Sequence, residues 1–406
     1  MRLFSPLATA ALLSACGIPG RAQVRPGIEV LLADSMHLVR GQRVALLTNH
    51  TGVDRAGHRD ADLLIAGGVQ LKALFSPEHG YQGAEDREGL PDAIDSATGL
   101  PIYSLYSGKR PNFSALDSVQ VLLIDLQDIG GRYYTYVSSA AEMLGPAAAR
   151  HVRVVVLDRP NPIGGLLVQG NTRQSTGDPV RERVGFLPIP MRHGMTIGEL
   201  VRMANDALGT AADVHVVTAA GWRRSQYFDS TGLPWVRPSP NMPDLESASH
   251  YPGIALFEYT NLSVGRGTPT AFQWIGAPWL EPERVLEWVK RMAPDATTGV
   301  TLSPAAFKPV APTDGKYDGV DLRGVRFAVT DRGHYDPTHL AVAILAGLKA
   351  LYPDQLRFNA SAFDRLAAGP ALREALQSGA TPRSIWSDWE TALASFRVAR
   401  SKYLLY

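Results

Sequence analysis

Runs of apolar residues alternate with amphipathic stretches through the first half of the chain. The continuous apolar runs predict buried strands at residues 44–48, 69–75, 119–125, 152–158 and 213–219. Apolar residues at helical spacing predict helices at residues 28–39, 60–68, 136–150 and 196–209. Strands that are apolar throughout and alternate with helices are typical of a parallel sheet covered on both faces. We therefore expect an α/β fold with a Rossmann-like, mostly parallel sheet.

Polar side chains follow these strands where each one ends. They are Asn49 and His50, Glu78 and His79, Asp125 and Asp128, and Asp158 and Asn161. Ligands of open parallel sheets bind outside the carboxyl ends of the strands, so this pattern predicts a site there. No GxGxxG follows the first strand and no GxxxxGK[ST] occurs, so we expect neither a nucleotide site nor a cofactor.

A proline-rich stretch, GLPWVRPSPNMPDLES, interrupts the pattern near residues 234–243 and marks a domain boundary. The expected organisation is a Rossmann-like N-terminal domain at residues 27–235 and a smaller C-terminal α/β domain at residues 236–406. The second domain contributes a polar loop, LFEYTNLSVGRGT, which contains Glu258, Asn261 and Arg266. A loop this polar between apolar runs is expected to form a cleft wall.

The N-terminus has the features of an export signal. Residues 1–16 combine Arg2, an apolar run and small residues up to Cys16, the single cysteine among 406 residues. The sequence Leu-Ser-Ala-Cys resembles a bacterial lipobox, which predicts a lipid on Cys16 and a tether at residues 17–26; an ordinary signal peptide cut elsewhere is the alternative. We expect an envelope lipoprotein, with a mild preference for the outer membrane because Gly17 replaces the aspartate of inner-membrane retention. A net charge of +1 gives no electrostatic case for nucleic acid, and the oligomeric state is not predicted.

Glu78 is the leading candidate for chemistry. A carboxyl group at a strand end beside Phe75 and Pro77 is suited to general-acid catalysis, although a helix cap or a surface ion pair would use the same residue. His79 could orient it. Asp125 and Asp128 could act as base, position water or bind sugar hydroxyls; the alternative is a turn cap neutralised by a nearby arginine.

The remaining candidates are substrate ligands. Tyr134 offers a stacking face, whereas Arg132, Arg192 with His193, and Arg266 could bind a carboxylate or pair with the strand-end aspartates. The TIGE sequence that follows His193 matches a capping box, which assigns Glu199 a structural role. HExxH, CxxC and GxSxG motifs are absent from the sequence, so we expect neither a metal site nor a serine nucleophile elbow.

Taken together, these blocks resemble the NamZ-type exo-β-N-acetylmuramidases, glycoside hydrolases of bacterial cell-wall recycling. The resemblance runs from about residue 27 to 406 through LLTNHTGVD, LFSPEHGYQG, DLQDIGGRYYTY, VVLDRPNPIGG, PIPMRHGMTIGEL, PSPNMPDLESASHYPGIALFEYTN, GRGT and the terminal YLLY. It implies two domains with a site between them, removal of MurNAc from the non-reducing end of fragments such as MurNAc–GlcNAc, and Glu78 as the catalytic glutamate.

The chain departs from this family pattern at two positions. Gln169 and Gln273 stand where family members usually carry an acid. If those acids belong to the machinery, the chain could instead be a non-catalytic lipoprotein that binds cell-wall sugar or muropeptide. In the enzymatic reading Glu78 protonates the departing oxygen, and Asp125, Asp128 or Glu258 assists water or the substrate's own 2-acetamido group. An arginine would recognise the lactyl carboxylate that distinguishes MurNAc from GlcNAc.

Overall fold

A computed structural model describes residues 23–87, 89–109 and 111–406, so Cys16 and the predicted signal lie outside the described residues. The strands are β1 Arg43–Thr48, β2 Gln70–Ser76, β3 Ala93–Ile94, β4 Pro101–Ser104, β5 Val121–Asp125, β6 Arg153–Leu157, β7 Gln169–Thr172, β8 Pro190–Arg192, β9 Val214–Val217, β10 Trp274–Ala277, β11 Val300–Phe307 and β12 Leu322–Val329. The helices are α1 Gly27–Asp34, α2 Asp60–Ala66, α3 Tyr136–Glu142, α4 Leu144–Ala148, α5 Ile197–Leu208, α6 Leu245–Ile254, α7 Pro282–Met292, α8 Pro337–Leu351, α9 Ala360–Leu366, α10 Ala371–Gln377, α11 Pro382–Ser387 and α12 Glu390–Arg400. None of these helices is long and apolar enough to cross a bilayer.

The first part of the chain forms a seven-stranded sheet in the order β3-β4-β2-β1-β5-β6-β9. All neighbouring strands are parallel except β3, which pairs antiparallel with β4. Counted along the chain, the six parallel strands follow the Rossmann order 3-2-1-4-5-6, with the order reversing between β1 and β5. The expected α/β fold with a mostly parallel sheet is confirmed.

Two helices illustrate how local sequence sets the boundaries of these elements. Thr196 and Glu199 form both hydrogen bonds of the predicted capping box at the start of α5. The helix predicted at residues 136–150 is instead divided at Met143 into α3 and α4. Pro146 explains this division, because it has no N–H to donate to the carbonyl of Glu142 four residues earlier.

The second part is built on a three-stranded antiparallel sheet in the order β10-β12-β11, with α6 and α7 against it and α8 packed on these two helices. A single apolar core continues from Phe75 and Ile124 of the large sheet to Phe327 and Leu340 of this part. The two parts are therefore packed as one body, with the cleft between them held by a shared core.

The end of the chain returns to the first sheet, which the sequence pattern did not predict. Arg400 in α12 donates to the carbonyls of Gly194, His193 and Gly165. Tyr406 donates its hydroxyl hydrogen to Oδ2 of Asp158 at 2.7 Å, at the end of β6. The terminal YLLY block thus ties the second part of the chain to the strand ends of the first.

Candidate active site

A cleft lies between the two parts, beyond the carboxyl ends of β2 and β5. Its lining combines three carboxylates, one arginine, several tyrosines and three small polar residues. The lining residues are Glu78, His79, Asp86, Tyr133, Tyr134, Thr135, Val184, Ser239, Asn241, Met242, Tyr251, Glu258, Tyr259, Arg266, Phe272 and Leu366. Five residues predicted from the sequence are therefore brought together here: Glu78, His79, Tyr134, Glu258 and Arg266.

Glu78 is half-buried in the cleft, two residues after the end of β2. Its Oε2 accepts a hydrogen bond from the hydroxyl of Thr135, which lies in the segment after β5. Its Oε1 has no hydrogen bond to any of the residues that the structure describes. One carboxylate oxygen is thus fixed by the protein, whereas the other remains available to a ligand.

The loop after Glu78 is folded by unusual backbone geometry. His79 adopts a φ of 68°, which few residues other than glycine tolerate, and its Nδ1 lies 2.6 Å from the carbonyl oxygen of Glu85. A Cβ atom at Gly83 would lie 1.7 Å from the ring of His50, so only glycine fits there. The sequence EHGYQG therefore encodes a tight loop that holds Glu78 at the cleft.

Arg266 joins the two walls of the cleft. It donates from Nε and Nη2 to Oε1 of Glu258 at 2.8 and 2.6 Å, and from Nη1 to Oδ2 of Asp86 at 2.9 Å. Asn241 also donates to Asp86, at 2.9 Å. Although burial acts in the opposite direction, hydrogen bonding to Thr313 and the charge of Arg266 lower the pKa of Asp86. Asp86 is therefore held as an anion.

Aromatic rings form the remaining wall. Tyr134 packs edge-to-face on Tyr251, with ring centroids 6.2 Å apart, and its buried hydroxyl has no hydrogen bond to any described residue. Burial raises the pKa of Tyr251, and the negative charges of Glu258 and Glu78 raise it further. Both carboxylates therefore influence the pKa of the same tyrosine, which agrees with their position in one cleft.

Asp125 does not line this cleft, although it ends β5 next to the point where the strand order reverses. Arg159 fills that crevice and binds Asp125 with Nε at 2.5 Å and Nη2 at 3.0 Å. Asp60 is close by and accepts from Thr48 at 2.5 Å; burial and the charge of Asp125 raise its pKa. The switch point is therefore closed by a buried ionic network that holds the loops together.

Asp128 and His193 also lie outside the cleft. His193 accepts from the backbone N–H of Met195 at Nδ1, so its Nε2–H faces Oδ2 of Asp128 at 3.4 Å. The same Asp128 oxygen accepts from the N–H of Gly130 at 2.7 Å. These contacts fix the loop after β5, which carries Tyr134 and Thr135.

Asn49 and His50 hold the linker between the two parts and do not line the cleft. Asn49 donates to the hydroxyl of Tyr136, which in turn donates to the carbonyl of Pro238. His50 Nε2 lies 2.6 Å from the carbonyl oxygen of Arg237. Burial lowers the pKa of His50, so the ring is a neutral donor at this position. The linker that Asn49 and His50 hold contains Ser239 and Asn241, which line the cleft.

Arg132, Arg192 and Asn261 serve the scaffold. The guanidinium of Arg132 is buried and donates to the carbonyls of Asn171, Ile189 and Leu366. Arg192 donates to the hydroxyl of Tyr227 at 2.8 Å, and Asn261 donates to the carbonyl of Gln355 at 2.9 Å. None of the three lines the cleft, so the structure does not bring these predicted ligands to it.

The two glutamines at which the chain departs from the family pattern lie outside the cleft as well. Gln169 accepts from Arg192 at 3.0 Å and donates to the carbonyl of Tyr335 at 3.0 Å. Gln273 accepts from Arg326 at 2.7 Å and donates to Asp244. Each glutamine therefore accepts a hydrogen bond from an arginine, with which an acid at the same position would form an ion pair. Neither glutamine is hydrogen-bonded to Glu78 or Glu258.

Sequence reasoning missed several cleft residues. Some of them lie within the sequence blocks that carry the family resemblance: Thr135, Ser239, Asn241 and Tyr251. Their position in these blocks could have identified them as candidates. Asp86 lies just beyond the EHGYQG block in an exposed, polar loop. Only its three-dimensional contacts with Arg266 and Asn241 distinguish it from a surface aspartate.

Comparisons with known proteins agree with this architecture. Sequence models described as exo-beta-N-acetylmuramidase NamZ, N-terminal and C-terminal, match residues 44–246 and 249–406. The peptidoglycan beta-N-acetylmuramidase NamZ of Bacillus subtilis (strain 168) is 37% identical over 390 residues, which are 95% of this chain and 92% of that protein.

Two solved structures from Bacteroides fragilis, both described as DUF1343 family proteins, share the fold. One aligns with a TM-score of 0.85 and 34% identity over 95% of this chain and 100% of its own, the other with 0.74 and 28% over 95% and 99%. These findings confirm the resemblance read from the sequence, and the chain belongs to the exo-β-N-acetylmuramidase NamZ family.

Proposed function

We propose that this chain is an exo-acting β-N-acetylmuramidase that hydrolyses MurNAc from the non-reducing end of peptidoglycan fragments such as MurNAc–GlcNAc. The observation that carries the proposal is the position of Glu78, in a cleft between the two parts of a chain that belongs to this enzyme family. One of its oxygens is fixed by Thr135 and the other is available. The positions of Gln169 and Gln273 outside the cleft remove the observation that favoured a binding-only protein.

Glu78 is the general acid in this proposal. Cleavage of a glycoside needs a proton on the departing oxygen and stabilisation of an oxocarbenium-like transition state. Glu258 is the second carboxylate, because Asp125 and Asp128 lie outside the cleft and the remaining cleft carboxylate, Asp86, is bound by both Arg266 and Asn241. Arg266 binds only Oε1 of Glu258, which leaves Oε2 to accept a hydrogen from an attacking water or from the substrate's acetamido N–H.

Arg266 is the proposed ligand of the lactyl carboxylate, because Arg132 and Arg192 are committed to backbone and side-chain acceptors elsewhere. Four of its hydrogen bonds go to Glu258, Asp86 and Thr313. A guanidinium has five N–H donors, so one on Nη2 is left for a substrate anion. GlcNAc lacks this carboxylate and would leave the donor unpaired, which disfavours it.

We further propose that the protein is exported and held in the bacterial envelope by a lipid on Cys16. The lipobox-like sequence before the single cysteine and the peptidoglycan origin of the proposed substrate support this. A Cys16→Ser variant is expected to move from the membrane fraction to the soluble fraction of the producing cells. Equal membrane recovery of both proteins would contradict the anchor.

The test of the function measures hydrolysis of MurNAc–GlcNAc and of the 4-nitrophenyl β-glycosides of MurNAc and GlcNAc by the purified protein. We expect turnover of the MurNAc compounds alone. Glu78→Gln is expected to lower kcat on MurNAc–GlcNAc by about 10²- to 10⁴-fold. Glu85→Gln is the matched control, since Glu85 is an exposed carboxylate of the same loop. Binding of MurNAc–GlcNAc without turnover would show a sugar-binding protein instead.

A further inference from the structure

Asn241 lies in a short, rigid segment of the linker between the two parts. Pro240 comes directly before it and Pro243 two residues after it, and Met242 closes a turn by donating its N–H to the carbonyl of Ser239 at 3.0 Å. Proline fixes one backbone dihedral, so this segment has few conformations to lose. The side chain of Asn241 is buried and lines the cleft. Asn241 is therefore held in place before any ligand binds.

The orientation of the Asn241 amide is fixed by two acceptors. Its Nδ2 donates to Oδ2 of Asp86 at 2.9 Å and to Oγ1 of Thr313 at 3.2 Å. A carboxylate only accepts hydrogen bonds, so the reverse orientation of the amide would bring two oxygens together. Both hydrogens of Nδ2 are thus used, and Oδ1 has no hydrogen bond to any residue that the structure describes. This oxygen is not enclosed by protein atoms, so it presents an acceptor to the cleft.

Asn241 lies beside the Nη1 end of the Arg266 guanidinium. Nη1 donates to the same two oxygens, that of Asp86 at 2.9 Å and that of Thr313 at 3.0 Å. Glu258 accepts from Nε and Nη2, at the opposite edge of the guanidinium. Because the guanidinium is a planar fork, the unused hydrogen of Nη2 points between these two ends. The order along the cleft wall is therefore Glu258, the free N–H of Arg266, and Asn241.

We propose that Asn241 is a specificity-determining residue whose Oδ1 accepts a hydrogen bond from the 4-hydroxyl of the non-reducing MurNAc, an inference that rests on the proposed glycosidase function. In MurNAc the lactyl group on O3 stands between the acetamido group on C2 and the hydroxyl on C4. With the lactyl carboxylate at Nη2 of Arg266 and the C2 side at Glu258, the 4-hydroxyl is the donor that reaches Asn241.

This contact makes the site select the end of a glycan chain. Only the terminal sugar has a hydrogen on O4, because O4 is the glycosidic oxygen inside the chain. An internal sugar would bring an acceptor against Oδ1 of Asn241, and an acceptor that loses its donor in this way costs free energy. A site built to bind a hydroxyl rejects a ligand that lacks it. Asn241 thus accounts for exo action by hydrogen-bond chemistry.

The experiment compares 4-nitrophenyl β-MurNAc with its 4-deoxy and 6-deoxy analogues, using the full chain. For the wild type, kcat/KM is expected to be lower by about 10- to 100-fold on the 4-deoxy analogue and by less than about 3-fold on the 6-deoxy analogue. In Asn241→Ala, kcat/KM on the parent substrate falls, and the ratio of parent to 4-deoxy shrinks to within about 3-fold. A merely structural role of Asn241 would lower both rates and keep the ratio.

Thr313→Val is the matched control, because it removes the oxygen that accepts from Asn241 and Arg266 but keeps Oδ1 of Asn241. This variant is expected to keep the wild-type ratio, whatever its rate. Thermal unfolding of each variant verifies its fold. Loss of the ratio in Thr313→Val as well would assign the discrimination to the whole polar network and overturn the direct contact.

An unchanged ratio in Asn241→Ala would overturn the inference, and so would a wild type that cleaves the 4-deoxy analogue as fast as the parent. A wild type without turnover would refute the glycosidase function itself. Calorimetric binding of MurNAc and 4-deoxy-MurNAc would still test the contact in that case, because binding needs no catalysis. Equal affinities of the wild type for the two sugars would then overturn the inference.

Discussion

Replacing Glu142 with glutamine should stabilise the protein at alkaline pH. Its side chain is 2% exposed at the end of α3, and neither carboxylate oxygen makes a hydrogen bond to a described residue. Burial raises the pKa of Glu142 to about 7; Arg183 opposes the rise and Asp178 adds to it. The folded protein therefore binds a proton that the unfolded chain has already released.

The magnitude follows from the difference between the ordinary value of 4.5 and the folded value of about 7. One pKa unit corresponds to about 1.4 kcal/mol, so ionising Glu142 costs the folded state about 3 kcal/mol. Because the folded pKa is raised, the stability is fully present below pH 4.5 and is lost as the pH rises through 7. Glutamine keeps the shape and carries no proton to lose.

The assay is urea unfolding of the wild type and of Glu142→Gln at pH 5, 6, 7 and 8. We expect the free energies of unfolding to be similar near pH 5 and to differ by about 3 kcal/mol at pH 8, with the variant more stable. Glu287→Gln, at an exposed position of α7, controls for the loss of one negative charge. A difference between wild type and Glu142→Gln that stays constant with pH would refute the reasoning.

Two further predictions concern scaffold residues. Tyr406→Phe removes the hydroxyl that donates to buried Asp158 and should lower the free energy of unfolding by about 1–3 kcal/mol, measured by urea unfolding at pH 8; an unchanged value would show that the terminal contact is not stabilising. Gln169→Glu would face Arg192 outside the cleft, so kcat/KM on MurNAc–GlcNAc should stay within about 2-fold of wild type, because only interactions with the transition state change this ratio. A larger change in kcat/KM would place position 169 in the catalytic machinery.

The parallel sheet was predictable because its central strands are buried on both faces and therefore read as unbroken apolar runs. Strands β1, β5 and β6 have this character, and β2 has it from Ala73 onward. Strand β4 escaped prediction because its four residues begin with proline and alternate in burial. The return of the last residues to Asp158 also escaped, since a contact across more than 200 positions leaves no local signal.

The rule that ligands bind at strand ends selected both Glu78 and Asp125, but of these two only Glu78 lines the cleft. Both carboxylates follow apolar strands, so the sequence presents them alike. What separates them is Arg159, which reaches back from the loop after β6 and neutralises Asp125 within the crevice. Among the described residues, the one hydrogen-bond donor to the Glu78 carboxylate is the neutral hydroxyl of Thr135. Local pattern identifies strand ends, but the partner of each carboxylate is set by tertiary packing.

The position of the cleft follows from this division of charge. In a Rossmann sheet the crevice where the strand order reverses is open and takes the ligand, but here Arg159, Asp125 and Asp60 close it. The available edge is therefore beyond β2, where the sheet alone provides no opposite wall. The second part of the chain supplies that wall through Glu258 and Arg266, and the bond from Arg266 to Asp86, 180 positions away, joins the two. A site of this kind exists only when both parts of the chain are packed together. A change that separates the two parts is therefore expected to abolish the proposed catalysis by Glu78 as well.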